Sequence, residues 1–119
     1  MKIGKKPCDL INLEIKGQLP EPRYDCSLNY YEELDLLILF GGKDKNIVIL
    51  EDIFVMDLQN LQWIKARYKF NYYIRLGRAE HSSIIYENQL IVFGGITETE
   101  FVGSDFLIIN LGKLFNYWY

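Results

Sequence analysis

An internal repeat is the strongest constraint on what this chain can fold into. Leu39-Phe40-Gly41-Gly42 recurs 53 residues later as Val92-Phe93-Gly94-Gly95. Asp52 recurs as Asp105 at the same spacing, and the apolar residues 53–58 align with residues 106–111, placing Asp57 on Asn110. Upstream the spacing is 55: Arg23 falls on Arg78, and Cys26-Ser27 on His81-Ser82. Downstream, Trp63 falls on Trp118, again 55 apart. Small loop insertions account for the drift. A period of about 50 residues marks a chain built from copies of one supersecondary unit, which buries its apolar face only against a neighbouring copy.

Each copy reads as a series of strands. Half of the residues are apolar and 15% are aromatic, so the chain has the means to bury a core. Residues 25–31 are polar, β-prone and aromatic. Residues 34–40 are rich in branched apolar side chains and stop at Gly41-Gly42, as a buried strand ended by a turn does. A polar loop over 43–46, a strand over 51–58, a turn at Leu58-Gln59-Asn60 and a fourth strand over 63–68 complete the unit. The second unit repeats the order with 81–86, 90–93 and 105–110, and Glu87-Asn88-Gln89 is a turn of hairpin length. No segment sustains a helical period, and residues 72–74 are left to the connection between units. The expected class is all-β: a partial propeller of about two four-stranded antiparallel blades.

At several positions the pattern resembles the kelch-repeat family. Gly17-Gln18-Leu19-Pro20-Glu21-Pro22-Arg23 is similar to the opening of a kelch repeat, where a glycine, a proline and an arginine precede the first strand. Gly41-Gly42 and Gly94-Gly95 resemble its diglycine, Asp52 and Asp105 the acid that opens its third strand, and Trp63 and Trp118 the tryptophan of its fourth. The likeness runs over about residues 11–118. Cys26 stands where a histidine often follows the arginine, Arg78 lacks the preceding prolines, and Trp118 comes two residues late. The resemblance implies that residues 1–16 end a preceding blade with an outer strand over 11–15. Residues 17–70 then form one blade, and 71–119 a second cut short in its last strand. Glycines at the end of the second strand are expected to turn with φ > 0 and to admit close neighbours. Such a chain is expected to be a fragment of a longer propeller, a shortened version of one, or a unit that assembles with copies of itself.

Catalytic chemistry has little to work with. His81 is the single histidine, and its place in the repeat makes it a strand residue packed between blades. Ser82 and Ser83 beside it lack the strand-to-helix elbow of a nucleophile. Cys8 and Cys26 have no metal spacing and are read as reduced thiols. The diglycines lack the lysine and following helix of a phosphate loop. Asp52 and Asp105 are expected to anchor loops by accepting from backbone N–H groups. No metal or cofactor is expected.

The resemblance implies a protein–protein interaction scaffold. Arg23 and Arg78, near the central opening, are candidates to grip the carboxylates of an acidic peptide by bidentate contacts, with Tyr24 as an aromatic anchor. Tyr30 and Tyr31 are further anchor candidates, at least one of them being expected in the core. The alternative is a fragment of a kelch-fold enzyme of the sugar oxidase, epimerase or lyase type, with its site on other blades. A copper site would need clustered tyrosine, cysteine and histidine ligands, which one histidine does not supply. The net charge of −3 argues against nucleic acid as a partner, and the longest apolar run, residues 36–40, is far short of a membrane span. No signal peptide is visible, which leads to an expectation of a cytoplasmic location.

Overall fold

The computed structural model describes residues 10–67 and 77–115. Two sheets account for nearly all of its regular structure. The first contains β1 (Lys16–Gly17), β2 (Ser27–Tyr31), β3 (Leu36–Phe40), β4 (Ile53–Asp57) and β5 (Gln62–Lys65), in the order β1-β5-β4-β3-β2. The second contains β6 (Ser82–Tyr86), β7 (Gln89–Phe93) and β8 (Phe106–Asn110) in that order. From β2 to β5 and from β6 to β8 every pairing is antiparallel. Each sheet is thus a meander, the all-β blade expected from the repeat. Within the two units the expected strands are present with slightly tighter limits, as far as the described residues run.

Three features depart from the expectation. Residues 11–15 form no strand. Instead β1 adds in parallel to β5, with Lys16 N–H donating to Leu61 O and Gln18 N–H to Trp63 O. The outer edge of β5 would otherwise present a row of unpaired backbone groups, and β1 covers it. A short 3-10 turn, Glu32–Leu34, joins β2 to β3, and a single helical turn α1 (Leu111–Phe115) follows β8. Leu111, at its start, is fully buried in the core. The remainder of the expected fourth strand in the first unit, residue 68 onward, and Trp118 lie outside the described residues.

Because strand side chains alternate between faces, each sheet has a forward and a rear face. On the first sheet Asn29, Tyr31, Leu36, Ile38, Phe40, Ile53 and Val55 point forward. On the second, Ile85, Leu90, Val92, Leu107 and Ile109 point to the rear. These two faces meet, and together with Ala66 and Leu111 they form the core of the molecule. Phe40, Ile38, Ile53, Val55 and Leu90 are completely buried there. Each such burial contributes roughly 1.5–3 kcal/mol of transfer free energy. The two blades therefore stack front to back, as successive blades of a propeller do.

Candidate binding face

β2 and β4 begin, and β3 ends, at one end of the first sheet; the second sheet repeats the arrangement with β6, β8 and β7. The diglycines shape this end. Gly41 and Gly42 lie at φ 70° and 98°, and Gly94 and Gly95 at 68° and 92°. A Cβ on Gly41 would collide with the carbonyl oxygen of Arg78, and one on Gly42 would come within 2.8 Å of Cys26 Cβ. The close approach has a purpose: Gly42 N–H donates to Arg78 O at 2.8 Å, fastening the start of the second blade to the first.

The structure places the two arginines behind this end, away from solvent. Arg23 is paired with Asp52 through Nη1 and Nη2; Nη1 also donates to Gly41 O at 3.3 Å, and Nε donates to Glu21 O at 3.1 Å. Its guanidinium lies 5.3 Å from the centre of the Phe54 ring, and its side chain is only 3% exposed. Arg78 is buried as well, donating to Gly77 O at 3.1 Å. Asp52, expected to accept from backbone N–H groups, accepts from Arg23 through its carboxylate and from Gly41 N–H through its carbonyl. Asp105, its counterpart, is exposed. A long cation joined to a carboxylate 29 residues away reads as two surface charges in the sequence.

His81 lies at the blade–blade seam. Its Nε2 and the Ser27 hydroxyl are 2.8 Å apart, and its ring centre is 5.2 Å from that of Phe40. Nδ1 is buried without a hydrogen-bond partner among the described residues. Burial first, and the Arg78 charge second, hold the imidazole below its ordinary pKa. Below it, Asn29 Nδ2 donates to Ser83 O at 3.1 Å, and the Ser83 hydroxyl donates to Asn29 Oδ1 at 2.6 Å. Trp63 stands on the opposite side of the first blade, edge-on to Phe54 at 6.4 Å. Cys26 is a free thiol, half-buried; Cys8 lies outside the described residues.

In front of the arginines is an exposed layer. Tyr24 is about half exposed, with Lys43 Nζ 5.7 Å from its ring centre. Lys43 is also 3.3 Å from Asp25 and 3.4 Å from Glu80. Partial burial opposes its charge, but the two carboxylates outweigh that and raise its pKa. Asp25 and Glu80 occupy equivalent positions in the two repeats. Both are left-handed, at φ 57° and 58°, and Glu80 N–H donates to Asp25 O at 3.0 Å. Of the other tyrosines, Tyr30 is exposed and Tyr31 is core.

Two loop tips complete the layer. Asp44 Oδ1 accepts from Asn46 N–H at 2.8 Å and Val48 N–H at 3.0 Å, and the tight loop puts Ile47 at φ 63°. A β-branched residue is an outlier there. Ile47 and Val48 are exposed at its tip, and Phe101 of the equivalent loop is 86% exposed. The sequence signal for these three is an apolar residue inside a polar loop. Among the described residues no group of three His, Cys, Asp or Glu is placed to hold a metal ion, and no helix is long and apolar enough to cross a membrane.

Known proteins share this arrangement of sequence. The chain is 30% identical over 84 residues to dynein regulatory complex subunit 7 of Chlamydomonas reinhardtii, covering 71% of this chain and 7% of that protein. It is 28% identical over 101 residues to an F-box/kelch-repeat protein of Arabidopsis thaliana, covering 79% of this chain and 21% of that one. The match therefore spans only a small part of either relative. Residues 8–118 match the family described as the KLHDC2/KLHL20/DRC7 kelch-repeats domain. With its repeated diglycines and its two front-to-back blades, the chain belongs to the kelch-repeat family.

Proposed function

We propose that these blades serve as a protein–protein interaction scaffold, with the partner docking on the end that carries the exposed loops. The observation that carries this reading is the division of labour at that end. Arg23 and Arg78 are buried and brace the loops, while Tyr24, Ile47, Val48 and Phe101 stand in solvent on loops held by internal hydrogen bonds. Rigid aromatic and branched anchors on a fixed scaffold suit protein recognition. A carboxylate from a partner would have to displace Asp52 to reach Arg23. The exposed charges here are mainly carboxylates, those of Asp25, Glu80, Glu98 and Glu100, with Lys45 in the neighbouring loop. A segment with apolar anchors therefore fits this end better than an acidic peptide. The names of the two relatives, a dynein regulatory complex subunit and an F-box/kelch-repeat protein, support an adaptor role over an enzymatic one.

Peptides selected by display against the immobilised chain test the reading. Tyr24→Ala or Phe101→Ala should weaken the selected ligands about tenfold or more, the loss of roughly 1.4 kcal/mol expected of an anchor. Ligands that ignore both substitutions and respond to changes on the sheet faces would overturn it.

A further inference from the structure

The end of the sheets opposite the diglycines carries a cleft. There the β2–β3 and β6–β7 turns come side by side, and between them lies an open cavity of about 530 Å³ lined by Tyr30, Tyr31, Glu32, Glu33, Ile85 and Glu87. The repeat builds it. Tyr31-Glu32 recurs as Tyr86-Glu87, 55 residues later, so both turns bring a carboxylate to the mouth of the seam. Tyr31 is buried on the core side, and its hydroxyl donates to Glu33 Oε2 at 2.7 Å, which fixes that carboxylate beside the cleft. Tyr30 is 52% exposed, and its hydroxyl donates to Asp35 Oδ1 at 2.9 Å.

The carboxylates of this cleft differ from those at the loop end. Asp52 is paired with Arg23, and Asp25 and Glu80 share Lys43. Among the described residues no lysine or arginine pairs with Glu32, Glu33 or Glu87, all three of which are exposed. Tyr30 registers the field that results. Its hydrogen bond to Asp35 first, then desolvation, then the charges of Asp35 and Glu32 hold the phenol above its ordinary pKa. The cavity thus joins three carboxylates that lack a cation to a half-exposed aromatic ring. We infer that this cleft docks an arginine-bearing basic segment of a partner protein. A guanidinium matches both halves of the lining: its planar fork meets a carboxylate by two hydrogen bonds, and its flat face stacks on a tyrosine ring. Ile85 offers apolar surface to the methylene stem. A bare metal ion fits less well, because among the described residues no three His, Cys, Asp or Glu are placed to hold one. The cleft lies at the end away from the exposed loops, so the inference does not depend on the partner-binding end.

Fluorescence anisotropy of a labelled hexa-arginine peptide against the full chain tests this. In about 0.1 M salt, where distant charges are screened, the parent should bind with a Kd of about 100 µM or tighter. Glu32→Gln with Glu87→Gln should weaken binding about tenfold or more, since two charge-assisted contacts are lost. Tyr30→Leu, which leaves the charge unchanged, should weaken it about two- to fivefold. The side chains replaced are exposed, so these variants should keep the circular dichroism of the parent. Glu98→Gln with Glu100→Gln removes the same charge at the loop end and should leave the affinity within about twofold. A parent that does not bind the peptide, or a Glu32→Gln, Glu87→Gln chain that binds it as well as the parent, overturns the proposal. Equal weakening by the Glu98→Gln, Glu100→Gln pair would overturn it by reducing the binding to attraction by net charge. A loss caused by Tyr24→Ala would overturn it by moving the peptide to the loop end.

Discussion

The two blades are built from the same repeat yet live in different environments. β4 of the first has Ile53 and Val55 fully buried, whereas their counterparts on β8, Phe106 and Ile108, lie more than half in solvent. The acid before β4, Asp52, is paired with Arg23 at the base of a loop; its counterpart Asp105 is exposed. The first blade has its outer edge covered by β5 and β1, while β8 ends the second sheet among the described residues. What separates them is position in the stack. One blade has a neighbour on its forward face and the other has none among the described residues. The repeat encodes a blade, and the adjoining blade decides how much free energy each residue contributes.

Paired substitutions at equivalent sites test that contrast. Phe40→Ala should destabilise the chain by about 3–5 kcal/mol in urea unfolding, because it empties a completely buried site. Phe93→Ala at the matching site should cost about 1 kcal/mol, mainly its ring contact with Phe106. Equal losses would break the comparison. Next in size, Gly41→Ala should cost about 3 kcal/mol, from the left-handed backbone and the collision with Arg78 O. Gly103→Ala, whose Cβ would meet nothing within 4 Å, should stay within about 0.5 kcal/mol. Arg23→Ala should cost about 2 kcal/mol by leaving a partly shielded Asp52 without its cation, a value below that of a fully buried pair because Asp52 keeps some solvent. Asp105→Asn should be neutral within about 0.5 kcal/mol in the same assay.

The smallest effect belongs to pH and reports on the seam alone. His81 has a folded-state pKa below the unfolded value of about 6.5, so the unfolded chain binds the proton first as pH falls. Its contribution is complete above about pH 6.5 and is lost as pH falls through the folded pKa. The urea midpoint should therefore drop on acidification through that range, and His81→Gln should flatten this part of the slope. A His81→Gln chain with an unchanged slope would place the acid sensitivity elsewhere.

Much of the blade was legible in the sequence for physical reasons. Gly41-Gly42 and Gly94-Gly95 stand out because a left-handed backbone, and at Gly41, Gly42 and Gly95 a close neighbour where a Cβ would lie, favour glycine, and the apolar runs before them read as strands by composition alone. The site was less legible. Asp25 and Glu80 are left-handed without being glycine or asparagine, so no residue type announced the bend before β2 and β6. Arg23 looked like a surface cation because its acceptor is distant in sequence. β1 has two residues, too few to show a period, and what draws it to β5 is an edge the sequence does not display. Phe101 and Ile47 were hidden by their polar neighbours in the loops.

The seam between β2 and β6 joins residues 54 apart in the chain. The first blade is complete at Lys65 and β8 of the second ends at Asn110, so at ribosomal rates of about 5–20 residues per second the first blade waits about 2–9 s for its partner sheet. Throughout that interval Ile38, Phe40 and Val55 form an uncovered sheet face on a nascent polypeptide. The front-to-back stacking that makes the finished molecule compact thus imposes a vulnerable period during synthesis, when a chaperone or a neighbouring nascent chain competes with the second blade for the same surface.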